Sequence, residues 1–252
     1  MEKIFNMGRD ESIKKILLYS GGMDSWLIRH IWKPDECIYI NMHTKYSETE
    51  LKKLDNNIKI IDFPLGQYER GDAIIPLRNL YLAMCTCNEF PDGDLEICIG
   101  ATAGDRVLDK SQKFIKMASE MLTYLYQPQH WIPGGRKVQL SIPFKSYTKT
   151  ELIKTYLEQG GDINEAFNQS FSCYNPHNGE PCWRCKPCFR KFVSFYLNGY
   201  KFSGKIKTTA IDYIFTEIYP QIVNGTYGRA DEEEEILKVL EKEIGSTLPD
   251  DY

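Results

Sequence analysis

Two clusters of polar residues in this chain have the types and spacing of chemical sites. The first is Ser20-Gly21-Gly22-Met23-Asp24-Ser25, which follows an apolar run ending at Tyr19 and precedes an apolar helical pattern. Glycines let the main chain approach a phosphate closely, and the free N–H groups at a helix start favour an anion. The two serines add hydroxyl donors. The cluster predicts a nucleotide phosphate site, and the alternative is an ordinary strand-to-helix turn.

The second cluster holds four of the eight cysteines, with the spacing Cys-x8-Cys-x2-Cys-x2-Cys. Two-residue gaps let neighbouring thiolates converge on one ion, and four protein sulfurs leave no open position, which indicates structural zinc. An iron–sulfur cluster is the main alternative metal centre, His177 could replace one cysteine, and unliganded thiols are the remaining possibility. The proposed ligands are Cys173, Cys182, Cys185 and Cys188. The other cysteines lie in apolar runs and are expected in the core: Cys37, Cys85, Cys87 and Cys98.

The elements that must position these clusters alternate between strands and helices. Short runs rich in Ile, Leu and Val predict buried strands at 14–19, 36–41, 58–63, 95–100 and 138–143. Helical patterns lie between most of them, at 24–32, 47–55, 78–89, 111–126 and 148–158. The alternation predicts an α/β fold with a doubly wound, mostly parallel five-stranded sheet. Ligands of such folds bind beyond the carboxyl ends of the strands, where residues 20–25 are expected.

The character of the chain changes after residue 160. We expect a nucleotide-binding α/β domain over 1–160, and a zinc-binding loop with a C-terminal helical region over 161–252. A loop dense in Cys, Pro, Asn and Gly is predicted up to Cys188. Helices are predicted at about 187–198, 207–222 and 232–243. The acidic run at 231–235 is most simply the solvated start of the last helix.

The composition limits the class of protein. With 42% hydrophobic and 26% charged residues, the 252-residue chain is of ordinary globular type. The net charge of −4 gives no sign of a nucleic-acid surface, so no direct nucleic-acid partner is expected. No apolar run reaches the ~18 residues that span a bilayer, and a signal-peptide core is absent. We therefore expect a cytoplasmic protein without membrane contact, in which clustered cysteines bind metal.

The Ser20–Ser25 loop resembles the pyrophosphate loop of the adenylating ATP pyrophosphatases, a family that cleaves ATP between the α and β phosphates and transfers AMP to a substrate. The resemblance implies ATP contacts from Tyr19, Ser20, Gly21, Gly22, Met23, Asp24 and Ser25. It also implies Mg²⁺, with Asp24 in a metal-associated or loop-ordering role. The expected catalytic residues are Asp24, Ser25 and Lys149.

Together, the phosphate loop and the cysteine loop resemble the 7-cyano-7-deazaguanine synthases of queuosine biosynthesis. Further similar segments occur in matching order: Ile75–Asn79, Ile99–Asp105, Ile142–Phe144 and Glu180–Arg190. The resemblance implies that 7-carboxy-7-deazaguanine and ammonia form the nitrile at the expense of two ATP, with ATP, Mg²⁺ and Zn²⁺ as cofactors. The carboxylate and then the amide would be adenylated.

The same resemblance implies further contacts with ATP or the substrate. Arg78 and Lys149 would contact a phosphate or the substrate carboxylate, and a surface ion pair is the alternative for each. Asn79, Gly100 and Asp105 would line the nucleotide site. For Asp105, the alternative role is that of a helix N-cap.

Two segments depart from the family pattern. The run Met42–Ser47 stands where the family carries Gln-Arg-His, and the segment after Asp105 is shorter. His43 and Lys45 are therefore candidates for replacement contacts, with a solvent-facing loop as the alternative.

The function also has alternatives, namely adenylation of another carboxylate or amide, or nucleotide binding without catalysis. The sequence leaves open whether the chain forms a homodimer.

Overall fold

A computed structural model describes residues 13–71, 74–177 and 179–245 of the chain. The strands are β1 (Lys14–Leu18), β2 (Glu36–Asn41), β3 (Ile58–Asp62), β4 (Leu95–Ile99) and β5 (Val138–Ser141). The helices before residue 160 are α1 (Met23–Trp32), α2 (Ser47–Leu51), α3 (Arg78–Glu89), α4 (Gln112–Leu125) and α5 (Lys149–Glu158). Those after it are α6 (Ile163–Gln169), α7 (Lys186–Leu197), α8 (Gly204–Tyr213), α9 (Tyr219–Val223) and α10 (Ala230–Ile244).

The five strands form one parallel sheet in the order β3-β2-β1-β4-β5. This confirms the predicted α/β class. The chain runs from β1 to one edge of the sheet and then returns to place β4 on the other side of β1. Such a reversal opens a crevice outside the carboxyl ends of the two central strands. The segments that follow β1 and β4 therefore meet at this crevice.

Helices cover both faces of the sheet, so its central strands are apolar on both sides. Along β1, alternate side chains enter different cores because successive residues of a strand point to opposite faces. Ile16 packs in the core beneath α3 and α4, and Leu17 packs in the core beneath α1 and α5. A third core lies between α7, α8 and α10, and it includes Phe189, Phe192 and Val239.

Two predicted helices differ from the structure by at least three residues at one end. The helix predicted at 47–55 ends at Leu51, after which the N–H groups of Lys53 and Leu54 donate to carbonyls three residues back in turns. The helix predicted at 207–222 starts at Gly204 and contains a π-helical turn, Ile214–Ile218. Pro220 follows that turn, and it lacks the N–H that a regular α-helical ladder requires.

The prediction of an uninterrupted loop up to Cys188 was wrong. Helix α6 lies within that segment, and Asp162 caps it by accepting from the N–H of Asn164. Seven residues are too few for a clear helical period in the sequence. The division of the chain at residue 160 stays a prediction; α5 and α7, on either side of it, are in direct contact. In the described ranges, no helix has the length and hydropathy to cross a membrane.

Candidate functional site

The Ser20–Ser25 loop joins β1 to α1, and its own hydroxyl groups hold its shape. Ser25 Oγ accepts from the N–H of Ser20 at 3.3 Å and donates to the carbonyl of Gly22 at 3.0 Å. Gly21 has a φ of 70°, which favours glycine. Gly22 is the N-cap of α1, and no side chain in the described ranges caps this helix. The helix start therefore presents main-chain N–H groups to an anion, as the sequence predicts.

This loop forms one wall of a cavity of about 600 Å³ at the carboxyl end of the sheet. A volume of this size accommodates a nucleotide or another small ligand. All the residues predicted to bind ATP line it: Tyr19, Ser20, Gly21, Gly22, Met23, Asp24, Ser25, Arg78, Asn79, Gly100 and Asp105. Lys149 lines it as well. The fold thus brings together segments that follow β1, precede α3, follow β4 and begin α5.

Asp24 and Lys149 contact each other across the cavity. Lys149 is the first residue of α5, where Thr148 and Glu151 form a capping box. Its ammonium donates to Asp24 Oδ2. Asp24 Oδ1 is buried and has no hydrogen-bond partner among the described residues. An unpaired buried carboxylate oxygen is suited to a cation such as Mg²⁺, so the site fits the metal that the resemblance implies.

Asp105 stabilises the loop that follows β4. Its Oδ2 accepts from the N–H of Thr102 at 3.0 Å and from Lys110 Nζ at 3.2 Å. Burial would raise the pKa of Asp105, but Lys110 and the Thr102 N–H outweigh it and lower that pKa below its ordinary value. Lys145 donates to the carbonyls of Thr102 and Asp105. No helix begins at Asp105, so the alternative of a helix N-cap is wrong.

Asn79 connects the start of α3 to the segment that follows β4. Its main-chain N–H donates to Asp109 Oδ2, and its side-chain amide donates to the Asp109 carbonyl, both at 3.2 Å. These bonds support a positioning role for Asn79 beside the predicted role in nucleotide contact. Arg78, the preceding residue, is half-buried and faces the cavity.

Of the two candidate residues in the segment 42–47, His43 and Lys45, only one lines the cavity. His43 turns towards β3, where its Nε2 lies 3.0 Å from Asp62 Oδ1, and it does not line the cavity. Lys45 lines the cavity and lies over the ring of Tyr46, which in turn packs against Tyr174 with ring centroids 5.4 Å apart. Of the two candidates, Lys45 is the one at the site.

The four clustered cysteines have the geometry of a metal site. Their sulfurs all lie within 4.8 Å of one another, and the group includes no other ligand type among the described residues. The sulfurs of Cys182 and Cys188 are 4.0 Å apart, near the ~3.8 Å edge of a tetrahedron with zinc–sulfur bonds of ~2.3 Å. His177 is outside this group; its main chain pairs with Glu180 in a turn.

Main-chain N–H groups beside the cluster favour the thiolate form of Cys173. Those of Asn175 and Cys182 donate to Cys173 Sγ at 3.3 Å. Hydrogen bonds from the thiols of Cys185 and Cys188, together with these N–H groups, lower the pKa of Cys173 below its ordinary value. Four sulfurs, main-chain donors and partial burial fit zinc, which would complete a closed structural site.

The remaining cysteines occupy the sheet and the helix beside it. Cys37, Cys87 and Cys98 are buried, and Cys85 is half-buried. Burial raises the pKa of the Cys37 and Cys87 thiols to about 11. These thiols are therefore inert core groups, as predicted.

Sequence reasoning missed two arginines of the cavity wall, Arg190 and Arg229. Arg190 lies in the segment with a family resemblance, but no role was assigned to it. Arg229 precedes the acidic start of α10, and nothing in its local sequence indicates a site. Only the tertiary fold places these two side chains together.

Comparison with known proteins agrees with the family resemblance found in the sequence. A family model, queuosine biosynthesis protein QueC, matches residues 54–199. The chain is 24% identical over 219 residues to a 7-cyano-7-deazaguanine synthase from Marinobacter nauticus, covering 73% of this chain and 93% of that protein. It is 29% identical over 176 residues to one from Sulfolobus acidocaldarius, covering 65% of this chain and 36% of that protein.

Among solved structures, one match is a predicted subunit of a tRNA methyltransferase from Methanocaldococcus jannaschii. The match covers 58% of this chain and 76% of the methyltransferase subunit at 21% identity, with a TM-score of 0.38. The span matched by the family model contains Lys149 and the cysteine cluster. It begins after the phosphate loop and ends before α8.

Proposed function

The chain belongs to the QueC family of queuosine biosynthesis proteins, and we propose that it converts 7-carboxy-7-deazaguanine and ammonia into 7-cyano-7-deazaguanine with the consumption of ATP. The relatives that carry this synthase name align over most of the chain. The proposal extends their activity to this protein and assigns the chemistry to the cavity beside the Ser20–Ser25 loop.

The observation that carries the proposal is the charge and shape of this cavity. A phosphate-binding loop forms one wall, and basic side chains outnumber acidic ones among the described lining residues. The basic residues are Lys45, Lys53, Arg78, Lys110, Lys149, Arg190 and Arg229. The acidic ones are Asp24, Glu50, Glu69 and Asp105. An excess of positive charge in a chain of net charge −4 suits a site for ATP together with a carboxylate.

The first step would activate the substrate carboxylate, which is a poor acyl donor. One carboxylate oxygen attacks the α-phosphorus of ATP, and the bond to the β-phosphate oxygen breaks to release pyrophosphate. Negative charge grows on the departing oxygens. Preorganised N–H donors stabilise such charge most where water is excluded, and the start of α1 and the Lys149 ammonium would do so here.

Ammonia would then attack the acyl carbon and displace AMP, which leaves the primary amide. The amide oxygen attacks a second ATP in the same way and releases a second pyrophosphate. Loss of the amide protons and of AMP from this adduct gives the nitrile. Both activations are the same reaction at phosphorus, so one phosphate loop can serve both.

The residues would also hold two metals. Asp24 would bind Mg²⁺ through its unpaired Oδ1, and Mg²⁺ supplies charge neutralisation at the phosphates. The four cysteines would bind Zn²⁺. Because all four ligands come from the protein, the zinc would stabilise the fold and take no part in the reaction.

The test is mass spectrometry of purified protein incubated with MgATP, ammonium and 7-carboxy-7-deazaguanine. We expect the nitrile to form with two AMP for each molecule. AMP and pyrophosphate formed only with a different acid would overturn the substrate assignment and retain the adenylating chemistry. Nucleotide binding with no cleavage for any acid would indicate a binding module and overturn the proposed enzyme.

A further inference from the structure

The segment beyond the family-matched span reaches the cavity through the start of α10. The family model ends at residue 199, and α8, α9 and α10 follow it. Helix α10 packs on α7, the helix that begins within the cysteine cluster. Arg229, which immediately precedes α10, lines the proposed substrate cavity, although the matched family span does not include it.

A single carboxylate, that of Glu232, holds two guanidinium groups at this point. Its Oε2 accepts from Arg190 Nε at 2.8 Å, and its Oε1 accepts from Arg229 Nη1 at 2.9 Å. The hydroxyl of Tyr227 donates to the same Oε2 at 2.5 Å. In the described part of the chain, Glu232 is the one carboxylate within 4.0 Å of either arginine. One positive charge is therefore left in excess.

The Arg229–Glu232 ion pair lies against the loop that follows β4. A Cβ placed on Gly104 would lie 2.5 Å from Arg229 Nη1 and 2.3 Å from Glu232 Oε1. A side chain at residue 104 would therefore displace the pair. The close approach places Arg229 beside the Thr102–Asp105 segment, at the carboxyl end of the central strands where the cavity opens.

Glu235 fixes this part of α10 to the helix that carries Lys149. Its two carboxylate oxygens accept from the hydroxyls of Thr148 and Thr150, each at 2.7 Å. These threonines flank Lys149 in the sequence. Hydrogen bonds from Arg229 to Glu232, and from the threonines beside Lys149 to Glu235, thus set the position of Arg229 relative to Lys149.

We propose that Arg229 binds an anionic group of a ligand in the cavity and that Glu232 positions it. A guanidinium with one donor held by a carboxylate keeps other N–H groups for a phosphate or a carboxylate. The inference rests on the proposed function for the identity of the ligands. The anion is either the carboxylate of 7-carboxy-7-deazaguanine or a phosphate of ATP, and these two sources are separable by direct binding.

The test compares Arg229→Gln with Lys238→Gln by titration calorimetry. Both changes remove one positive charge, at the N-cap of α10 and within the helix respectively, but Lys238 pairs with Glu234 on the exposed side of the helix. The probes are 7-carboxy-7-deazaguanine and the non-hydrolysable α,β-methylene analogue of ATP with Mg²⁺. We expect Arg229→Gln to weaken one of them about tenfold or more, the loss typical of a charge-assisted hydrogen bond. Lys238→Gln should stay within about twofold for both.

The ligand that weakens identifies the source of the anion. A second variant, Glu232→Gln, should weaken the same ligand, and Arg229→Lys should restore part of the affinity because it retains the charge. Unchanged affinity of Arg229→Gln for both probes would overturn the proposal. If the unsubstituted protein does not bind the acid, the proposed function fails, and the ATP analogue alone then decides the role of Arg229.

Discussion

Asp24 and Lys149 lie at the starts of two different helices, and their side chains meet in the cavity. One carboxylate oxygen of Asp24 pairs with the positive charge of the Lys149 ammonium. The other oxygen is buried and has no hydrogen-bond partner among the described residues. Such an arrangement is costly for stability alone, because a buried polar atom without a hydrogen bond lowers it. Under the proposed function, a bound cation would give this oxygen its partner.

At this scale we predict that Lys149→Met lowers kcat for AMP release by about 10²- to 10³-fold, the loss found when one preorganised donor to a developing charge is removed. Lys154→Met is the matched control, since Lys154 is on the same helix but exposed, in an ion pair with Glu158. It should stay within about twofold of the parent protein. Equal rates for the two variants, measured by AMP release, would contradict the role of Lys149.

The phosphate loop and the cysteine cluster are far apart in the sequence, but a main-chain hydrogen bond connects the segments that carry them. The N–H of Phe171 donates to the carbonyl of Gly21 at 3.2 Å, in an isolated parallel bridge beside the loop. Two residues further on, Cys173 is the first cysteine of the cluster. The short segment from Phe171 to Cys173 thus connects the cysteine cluster to the phosphate loop through a main-chain hydrogen bond.

We therefore predict that Cys185→Ser loses the bound metal and also weakens nucleotide binding. Metal loss should lower the melting temperature, because binding of a structural metal contributes directly to folding. Cys85→Ser is the control, a half-buried cysteine of α3 outside the cluster. Metal content, thermal melting and affinity for the ATP analogue are the measurements. Loss of metal with unchanged nucleotide affinity would show that the two sites are independent.

The sequence predicted the elements whose signals are local. The central strands are largely buried on both faces, so each contains a short run rich in apolar residues, and the phosphate loop is contiguous. Helix α6 escaped prediction because it is short. The π-helical turn at 214–218 lies in a helical pattern that is continuous in the sequence, and Pro220 is the one local sign of the irregularity. The Arg190–Glu232–Arg229 group is formed by residues that approach only in the tertiary fold.

The molecule as a whole separates its charges. Its net charge is −4, yet basic side chains outnumber acidic ones in the cavity. Acidic residues concentrate elsewhere, notably at the start of α10, where Glu232 and Glu235 face inward and Glu234 is exposed. Glu232 pairs with Arg190 and Arg229, and Glu235 accepts from two threonine hydroxyls. The acidic run is therefore more than the solvated helix start that the sequence indicated. The C-terminal segment thereby takes part in the cavity.

The most direct measurement of the central claim uses 7-carboxy-7-deazaguanine labelled with ¹⁸O in both carboxylate oxygens. If the carboxylate and then the amide are adenylated, each oxygen leaves on a separate AMP. We expect two singly labelled AMP molecules for each nitrile and no label in pyrophosphate. Label in inorganic phosphate, or ADP as the nucleotide product, would contradict cleavage between the α and β phosphates at the Ser20–Ser25 loop.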